Sequence, residues 1–182
     1  MYRNRALRTL NRTLFSAILQ ALFAKARAKR IDPYTTSGIL TVQQLVELIN
    51  AVNDSYSAFL LDSGYPKPGQ PSDILISKIL MGVMGVLPAF DTCFKTAIPT
   101  FNSLVPEVYR LSDKLNDVSL MALLKVVQDA NVQNYLSARF DGLIKVGEKV
   151  GNGDCVDTVI QCPPMRLLDL LFWVYGLKFL KK

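Results

Sequence analysis

The chain contains no histidine, so any chemistry would depend on aspartate, glutamate, lysine, tyrosine or cysteine side chains. This excludes Ser-His and Cys-His nucleophile pairs and the zinc sites that contain histidine. Asp169 and Lys95 are the acid and base that we would test. Asp169 lies in an apolar segment beside Trp173, and a buried carboxylate there needs a partner such as Arg166. Asp169 becomes the best candidate for chemistry if it faces the segment 82–88; otherwise it is a charge at the edge of the core.

A glycine-rich loop near the end of the chain offers three oxygen ligands, Asn152, Asp154 and Asp157. Ligands of this kind suit a hard cation, but the spacing is not that of an EF-hand and the bidentate glutamate is missing. We therefore predict no metal site and no cofactor. With few acid–base candidates and no metal, an enzyme is the third of our hypotheses.

Basic side chains are concentrated at the N-terminus. The first 30 residues carry eight basic side chains and no acidic one, whereas the other 152 residues carry 13 basic and 15 acidic side chains. The eight are Arg3, Arg5, Arg8, Arg12, Lys25, Arg27, Lys29 and Arg30. The pattern indicates a basic amphipathic helix, residues 1–30, attached to a near-neutral globular domain, residues 31–182.

The N-terminal segment has the periodicity of a helix over residues 4–30. Its apolar stripe recurs at spacings of three and four residues, and three arginines form a separate row. The stripe consists of Leu7, Leu10, Leu14, Ile18 and Leu22. Such a segment suits a nucleic-acid phosphate surface, an anionic membrane or acidic partner, or a mitochondrial presequence. It equally suits a helix that packs on the core and leaves its basic face in water.

The segment 72–98 is the most apolar part of the chain, and Gly82, Gly85 and Pro88 interrupt it. Glycine can end a helix in the left-handed conformation, and proline suits a first helical turn. We therefore predict two helices joined by a tight, buried hairpin, the second of which ends at Pro99.

This segment, helix–GhxGh–helix, resembles the helix-hairpin-helix of DNA-repair glycosylases and other nucleic-acid-binding proteins. Residues 84–86 match its hydrophobic–Gly–hydrophobic core. The resemblance implies that backbone N–H groups at Gly82, Gly85 and Val86 bind a phosphate, a chemistry that a helix N-terminus favours. Residues 87–88 depart from the family pattern. The catalytic lysine of the base-excision enzymes has no counterpart at that position in this chain. The segments KILMGVMGVLPAFDTCFK and PPMRLLDLLFWVYGLKF also resemble parts of small bacterial proteins of unknown function.

The remaining elements are predicted as helices joined by polar turns. A capping box of Thr41 and Gln44 begins one helix, Ser72 caps the next, and Asp117 caps another. Further helices are expected at about 106–115, from 131 to beyond Ile144, and from 163 to 180, with a strand or loop at 155–162. The fold class is thus an all-α, single-domain orthogonal bundle of about seven helices around the central glycine-rich hairpin.

Composition sets the remaining limits. Half of the 182 residues are hydrophobic and 20% are charged, which is typical of one globular domain. No run reaches the roughly 20 uncharged apolar residues of a membrane span. Three cysteines without a CxxC pair indicate reduced thiols and a cytoplasmic location.

The first functional hypothesis is a DNA- or RNA-binding protein that contacts phosphates with its basic N-terminal helix and its hairpin. The alternative is an assembly module whose N-terminal leucine stripe packs on a partner protein or on a second copy of the chain. A helical protein without catalytic activity belongs to the same alternative, and an enzyme comes third.

Overall fold

The computed structural model describes residues 11–31, 40–64, 69–140, 145–149, 155–159 and 162–180. Within these ranges the α-helices are α1 (Asn11–Ala28), α2 (Val42–Asp62), α3 (Asp73–Met84), α4 (Thr92–Leu104), α5 (Asp117–Gln128), α6 (Ala130–Phe140) and α7 (Pro164–Leu180). A 3-10 helix spans Glu107–Tyr109, and strands β1 (Lys145–Lys149) and β2 (Cys155–Val159) form an antiparallel hairpin. The predicted all-α single-domain class is confirmed, with this β-hairpin as an addition.

Two helix pairs organise the packing. The last helix, α7, lies along α4, and α1 lies along α2, while α5 contacts both α2 and α7. One continuous cluster of buried apolar side chains draws on α1 to α5 and α7. A smaller cluster of Leu136, Phe140 and Leu167 attaches α6 to α7. The described part of the N-terminal helix therefore shares the core of the remaining chain.

Side-chain caps fix the beginnings of several helices, largely as the sequence indicates. The Thr41 hydroxyl accepts the N–H of Gln44 at 3.2 Å, and the Gln44 side chain accepts the N–H of Thr41 at 2.9 Å. Ser72 caps α3 by accepting the N–H of Leu75 at 3.3 Å. The prediction that Asp117 caps a helix is wrong by one position, because Asn116 makes that cap.

Both boundaries predicted for α4 are wrong. The helix begins at Thr92 rather than at Pro88, because Asp91 caps it by accepting the N–H groups of Cys93 and Phe94. It runs through Pro99 to Leu104, and the Pro99 side chain is exposed. A proline inside a helix costs one hydrogen bond. Core packing on both sides of Pro99 offsets that loss, since Ile98 and Phe101 both contact the core.

The structure also corrects the predicted elements after α4. In place of a helix at 106–115, only Glu107–Tyr109 is helical, as a 3-10 turn. The helix expected to continue beyond Ile144 is described over Ala130–Phe140, and Lys145–Lys149 forms a strand instead. Asp157, one of the three candidate cation ligands, lies in β2 opposite Gly147 of β1. Asn152 and Asp154, the other candidate cation ligands, lie outside the described residues.

Candidate functional site

The chain breaks sharply after α3, where the sequence predicts a glycine turn. Gly85 adopts the left-handed conformation, with φ +64°, and its N–H donates to the carbonyl of Met81. Gly82 does not end the helix: it lies within α3, is exposed, and has open space where a Cβ would be. The two glycines therefore differ in role, and only Gly85 turns the chain.

The segment that follows, residues 86–90 (hereafter the linker), is buried and non-helical. Its amides donate to side chains of neighbouring helices. The N–H of Ala89 donates to Oδ1 of Asp169 at 2.7 Å, and the N–H of Phe90 donates to Oγ of Ser77 at 2.9 Å. Pro88 has no N–H group. The tight hairpin predicted here is thus a longer connection, held by Asp169 from α7 and by Ser77 from α3.

Asp169 faces the linker, which overlaps the segment 82–88 considered in the sequence analysis. Burial raises the pKa of Asp169 above its ordinary value, and the nearby Asp91 carboxylate acts in the same direction. The hydrogen bond from Ala89 opposes these effects, as do the positive charges of Arg166 and Lys78. Burial therefore dominates, and the carboxylate is held against a backbone amide in a poorly solvated position.

Asp91 and Cys93 lie next to this carboxylate at the start of α4. Asp91 caps α4 and forms an ion pair with Lys78 of α3 at 3.4 Å. Burial and the Asp91 charge raise the pKa of the Cys93 thiol. A thiol of raised pKa remains protonated at neutral pH and is a weak nucleophile.

These groups join three helices rather than forming a catalytic set. Among the described residues, no hydrogen bond or ion pair connects Lys95 to Asp169, the acid and base that the sequence suggested. Each of the two carboxylates already accepts backbone N–H groups, Asp169 from the linker and Asp91 from α4. No group of three metal-ligating side chains converges within the described ranges. The arrangement positions backbone and holds α3, α4 and α7 together.

The three hairpin residues predicted to bind phosphate lie in different surroundings. Gly82 is exposed on α3, and Val86 is buried. A Cβ placed on Gly85 would lie 2.8 Å from Cγ of Pro163, so the segment that leads into α7 covers this turn. The three residues therefore do not line one open cradle.

The N-terminal helix is docked on the body by its apolar stripe. Leu14, Ile18 and Leu22 are buried in the common core, and α1 packs along α2. Leu7 and Leu10, the first two residues of the stripe, lie outside the described residues. Among the outer positions of α1 are Thr13, Ser16, Gln20, Phe23, Ala24 and Arg27, all of them exposed.

The C-terminal end of α1 carries the basic residues that the structure describes. Arg27 and Arg30 are exposed, and together with Phe23 they form what we call the basic surface. Lys25 is half-buried on the other side of the helix, where its charge lowers the pKa of Glu47 in α2. Arg3, Arg5 and Arg8 lie outside the described residues, and the side chain of Arg12 is not described.

Lys29 is the basic residue of this end that is already paired. Its Nζ lies 3.1 Å from Oε1 of Glu47 in α2. The hydrogen bond from Lys29 lowers the pKa of Glu47 more than burial raises it. The Lys29 side chain is 46% exposed and the Glu47 side chain 20%, so water screens the pair from the lysine side and the pair contributes little stability by itself. It does neutralise Lys29, and Lys25 also acts on the Glu47 carboxylate, so the uncompensated charge of this end belongs to Arg27 and Arg30.

Arg30 lies two residues beyond the end of α1 and has an unusual backbone conformation. Its φ is +51°, and no other non-glycine residue of the described chain has a positive φ. The N–H of Ile31 donates to the carbonyl of Ala26 at 2.8 Å, and the N–H of Arg30 donates to that of Arg27 at 3.2 Å. This is a Schellman motif, in which the left-handed position is usually glycine. An L-residue there costs roughly 1–2 kcal/mol.

Phe23 is the part of the basic surface that sequence reasoning missed. Its side chain is 48% exposed, on the opposite flank of α1 from the buried stripe. Nε of Arg27 donates to the Phe23 carbonyl oxygen at 3.4 Å. This contact keeps the guanidinium group of Arg27 close to the backbone of Phe23. The available signal was its spacing, since Phe23, Arg27 and Arg30 recur at intervals of four and three residues.

Comparison with protein-family models, curated proteins and solved structures found no match. Among the described residues, no helix is both long and apolar enough to cross a bilayer.

Proposed function

We propose that the protein binds nucleic acid through the basic side chains of its N-terminal segment. The observation that carries the proposal is the docking of α1. Because Leu14, Ile18 and Leu22 are buried against the body, the opposite flank of the helix is fixed in water together with its arginines. Arg27 and Arg30, which form no ion pair with an acid among the described residues, are cations of the kind that attract a phosphate backbone.

The charge distribution supports this proposal. The first 30 residues have a formal charge of eight positive side chains and no acid, whereas the rest of the chain has a small excess of acids. Among the described cations at residues 25–30, Lys29 alone forms an ion pair with an acid. A polyanion approaching this end would therefore meet uncompensated positive charge.

The linker has no ligand role in the proposal. Its amides at Ala89 and Phe90 donate to Asp169 and Ser77, and Pro163 covers Gly85. A phosphate could reach them only by displacing those partners. The proposal consequently rests on Arg27, Arg30 and the other basic residues, together with Arg3, Arg5, Arg8 and Arg12 of the sequence.

The assembly module remains the alternative. It requires the stripe of α1 to pack on a partner protein or a second copy, whereas its described part, Leu14 to Leu22, is covered by the body of the same chain. A concentration-dependent dimer in light scattering that disappears when Leu7 and Leu10 become glutamine would support this alternative. The proposal also assumes a cytoplasmic location, with which the free thiols of Cys93 and Cys162 agree.

The test compares two charge-reversed triple variants by fluorescence anisotropy with a labelled oligonucleotide at about 50 mM salt, where phosphate contacts are strong. The first variant changes Lys25, Arg27 and Arg30 to glutamate. The matched control changes the exposed residues Arg110, Lys114 and Lys125 to glutamate and alters the net charge equally. Circular dichroism establishes that both variants fold.

We expect the first variant to lose at least tenfold in affinity and the control to lose much less. The slope of log affinity against log salt should fall by about two, since each phosphate contact contributes roughly 0.7–0.9. Absence of binding by the unmodified protein, binding insensitive to salt, or equal losses in both variants would overturn the proposal.

A further inference from the structure

We infer that the nucleic acid is single-stranded and that Phe23 stacks on one of its bases while Arg27 and Arg30 hold the phosphates. This inference rests on the proposed function and names its substrate class. It begins from Phe23, whose side chain is about half exposed at the N-terminal edge of the basic surface.

The geometry places an aromatic ring next to the cations, on the same flank of one helix and one turn before Arg27. Phe23 and Arg27 are one turn apart in α1, and Arg30 lies two residues beyond the end of that helix. The Arg27 guanidinium is fixed near Phe23 by its contact with the Phe23 carbonyl at 3.4 Å. Aromatic rings interleaved with basic side chains are typical of proteins that bind single strands without sequence preference.

The chemistry of the ligand explains why a single strand fits better than a duplex. In a duplex the faces of the bases are hidden in the helical stack, so a protein surface meets phosphates and groove edges. In a single strand the faces of the bases are accessible, and an exposed ring can stack on them. A duplex would use the arginines and leave Phe23 in water.

An anionic membrane is the competing ligand for a basic helix. A helix that lies in a membrane interface needs a broad apolar face to insert. Here the apolar stripe of α1 is buried against the body, and the exposed flank beside Phe23 consists of small and polar residues, Thr13, Ser16, Gln20 and Ala24. One phenylalanine does not make an inserting face, so the observations favour the single strand.

The test uses substitutions that separate aromatic stacking from general hydrophobic contact. Phe23→Leu keeps an apolar side chain without an aromatic face, and Phe23→Trp enlarges that face. Trp173→Leu is the matched control, because Trp173 is 51% exposed but lies on α7. The full chain is titrated with labelled oligo(dT) of about 20 nucleotides, which exceeds typical site sizes, and with a duplex of equal length. Vesicles of phosphatidylcholine and phosphatidylglycerol are the third probe.

We expect Phe23→Leu to weaken oligo(dT) binding roughly fivefold to a hundredfold, the range that loss of one stacked base gives. Phe23→Trp should bind at least as well as the unmodified chain. Neither variant should change duplex affinity by more than about twofold, since the phosphate contacts are intact. Trp173→Leu should leave all affinities unchanged.

A second readout does not depend on affinity. Trp173 is the only tryptophan of the chain, so the double variant Phe23→Trp with Trp173→Phe carries one reporter, at the basic surface. Stacking on a base quenches indole fluorescence, and we expect saturable quenching by oligo(dT) and little by the duplex.

Each contrary result overturns the inference in a recognisable way. If Phe23→Leu leaves oligo(dT) affinity unchanged, or weakens oligo(dT) and duplex equally, stacking by Phe23 is wrong and the proposed function survives. If the protein binds vesicles but no oligonucleotide, the ligand is a membrane and both proposals fail. If it binds neither, both proposals fail as well.

Discussion

The carboxylate of Asp169 accepts the backbone N–H of Ala89 at 2.7 Å and so joins two residues that are 80 positions apart in the chain. The bond fixes the last helix to the buried linker. A linker without regular structure cannot satisfy its own amides, and a buried amide without a partner is costly. Asp169 therefore has a structural task that explains a carboxylate inside an apolar helix.

Substitution of Asp169 should separate its hydrogen bond from its charge. Asp169→Ala leaves the Ala89 N–H without an acceptor, and we expect a loss of about 1–3 kcal/mol in the free energy of unfolding. Asp169→Asn keeps an acceptor and removes a poorly solvated charge, so its loss should be below about 1 kcal/mol. Urea unfolding of the two variants measures both values. Equal losses would show that the hydrogen bond contributes nothing.

The pH dependence of stability should report the same carboxylate. Because burial raises the pKa of Asp169 in the folded state, the folded protein binds the proton more tightly than the unfolded chain. Stability from this group is then fully present at acid pH and is lost as pH rises through the ordinary aspartate pKa to the raised one. The unfolding free energy of the unmodified protein, relative to Asp169→Asn, should fall across that window and remain constant above it. A difference that rises with pH would contradict this.

Gly82 and Gly85, which look equivalent in the sequence, should respond to alanine in opposite ways. Gly82 has ordinary helical geometry and open surroundings, so Gly82→Ala should stabilise the fold by up to about 1 kcal/mol. Gly85 has φ +64° and lies under Pro163, so Gly85→Ala should cost about 1–3 kcal/mol. Thermal and urea unfolding of the two variants give the comparison, and a loss in both would place Gly82 at a contact that the structure does not have.

Of the glycines whose surroundings the structure describes, Gly176 should be the least tolerant of substitution. It lies in α7 where that helix meets the first turn of α4, and a Cβ at this position would overlap the backbone of Cys93. Backbone atoms cannot move aside as a flexible side chain can. We expect Gly176→Ala to destabilise the protein by about 3 kcal/mol or more, and near-ultraviolet circular dichroism should show altered packing of Phe94 against Phe172. A loss below that of Gly85→Ala would mean that α4 and α7 separate easily.

Local rules were enough to predict the helices whose signals lie within a few residues. The Thr41–Gln44 box, the Ser72 cap and the leucine spacing of α1 each depend on neighbours along one helix, and the structure contains all three. The turn at Gly85 was predictable for the same reason, because a left-handed residue is where glycine has an advantage.

The errors occur where distant contacts decide the outcome. Pro88 looks like a helix start, but Asp91 provides a better cap, and Ser77 and Asp169 satisfy the amides that follow Pro88. Pro99 looks like a helix end, but packing of Phe101 against Phe172 on α7 extends α4 beyond it. Asp169 and Phe172 lie on α7, far along the chain, so neither contact is recognisable from the local sequence. The phosphate cradle was proposed from the same local pattern and could not include Pro163, which is 78 residues beyond Gly85.

The sequence predicts the charge of the basic surface, but not which side chains are exposed on it or the backbone conformation of Arg30. Counting residues locates the cations, but the exposure of Phe23 depends on which flank of α1 packs against α2. The left-handed backbone at Arg30 is likewise set by the burial of Ile31, which draws the chain back over the end of the helix.

Arg30 allows stability and binding to be separated in one residue. Glycine at this left-handed position relieves a strain of roughly 1–2 kcal/mol, part of which is offset by the greater freedom of glycine in the unfolded chain. We therefore expect Arg30→Gly to stabilise the fold by about 0.5–1 kcal/mol. The same change removes a phosphate contact, so oligonucleotide affinity should fall and the salt slope should decrease by roughly 0.7–0.9. Arg30→Lys is the matched control, since it keeps both the charge and the strain and should change neither property much. A variant that becomes more stable and binds less tightly would show that the arginine is kept at this position for its charge, whereas unchanged affinity in Arg30→Gly would remove Arg30 from the binding surface.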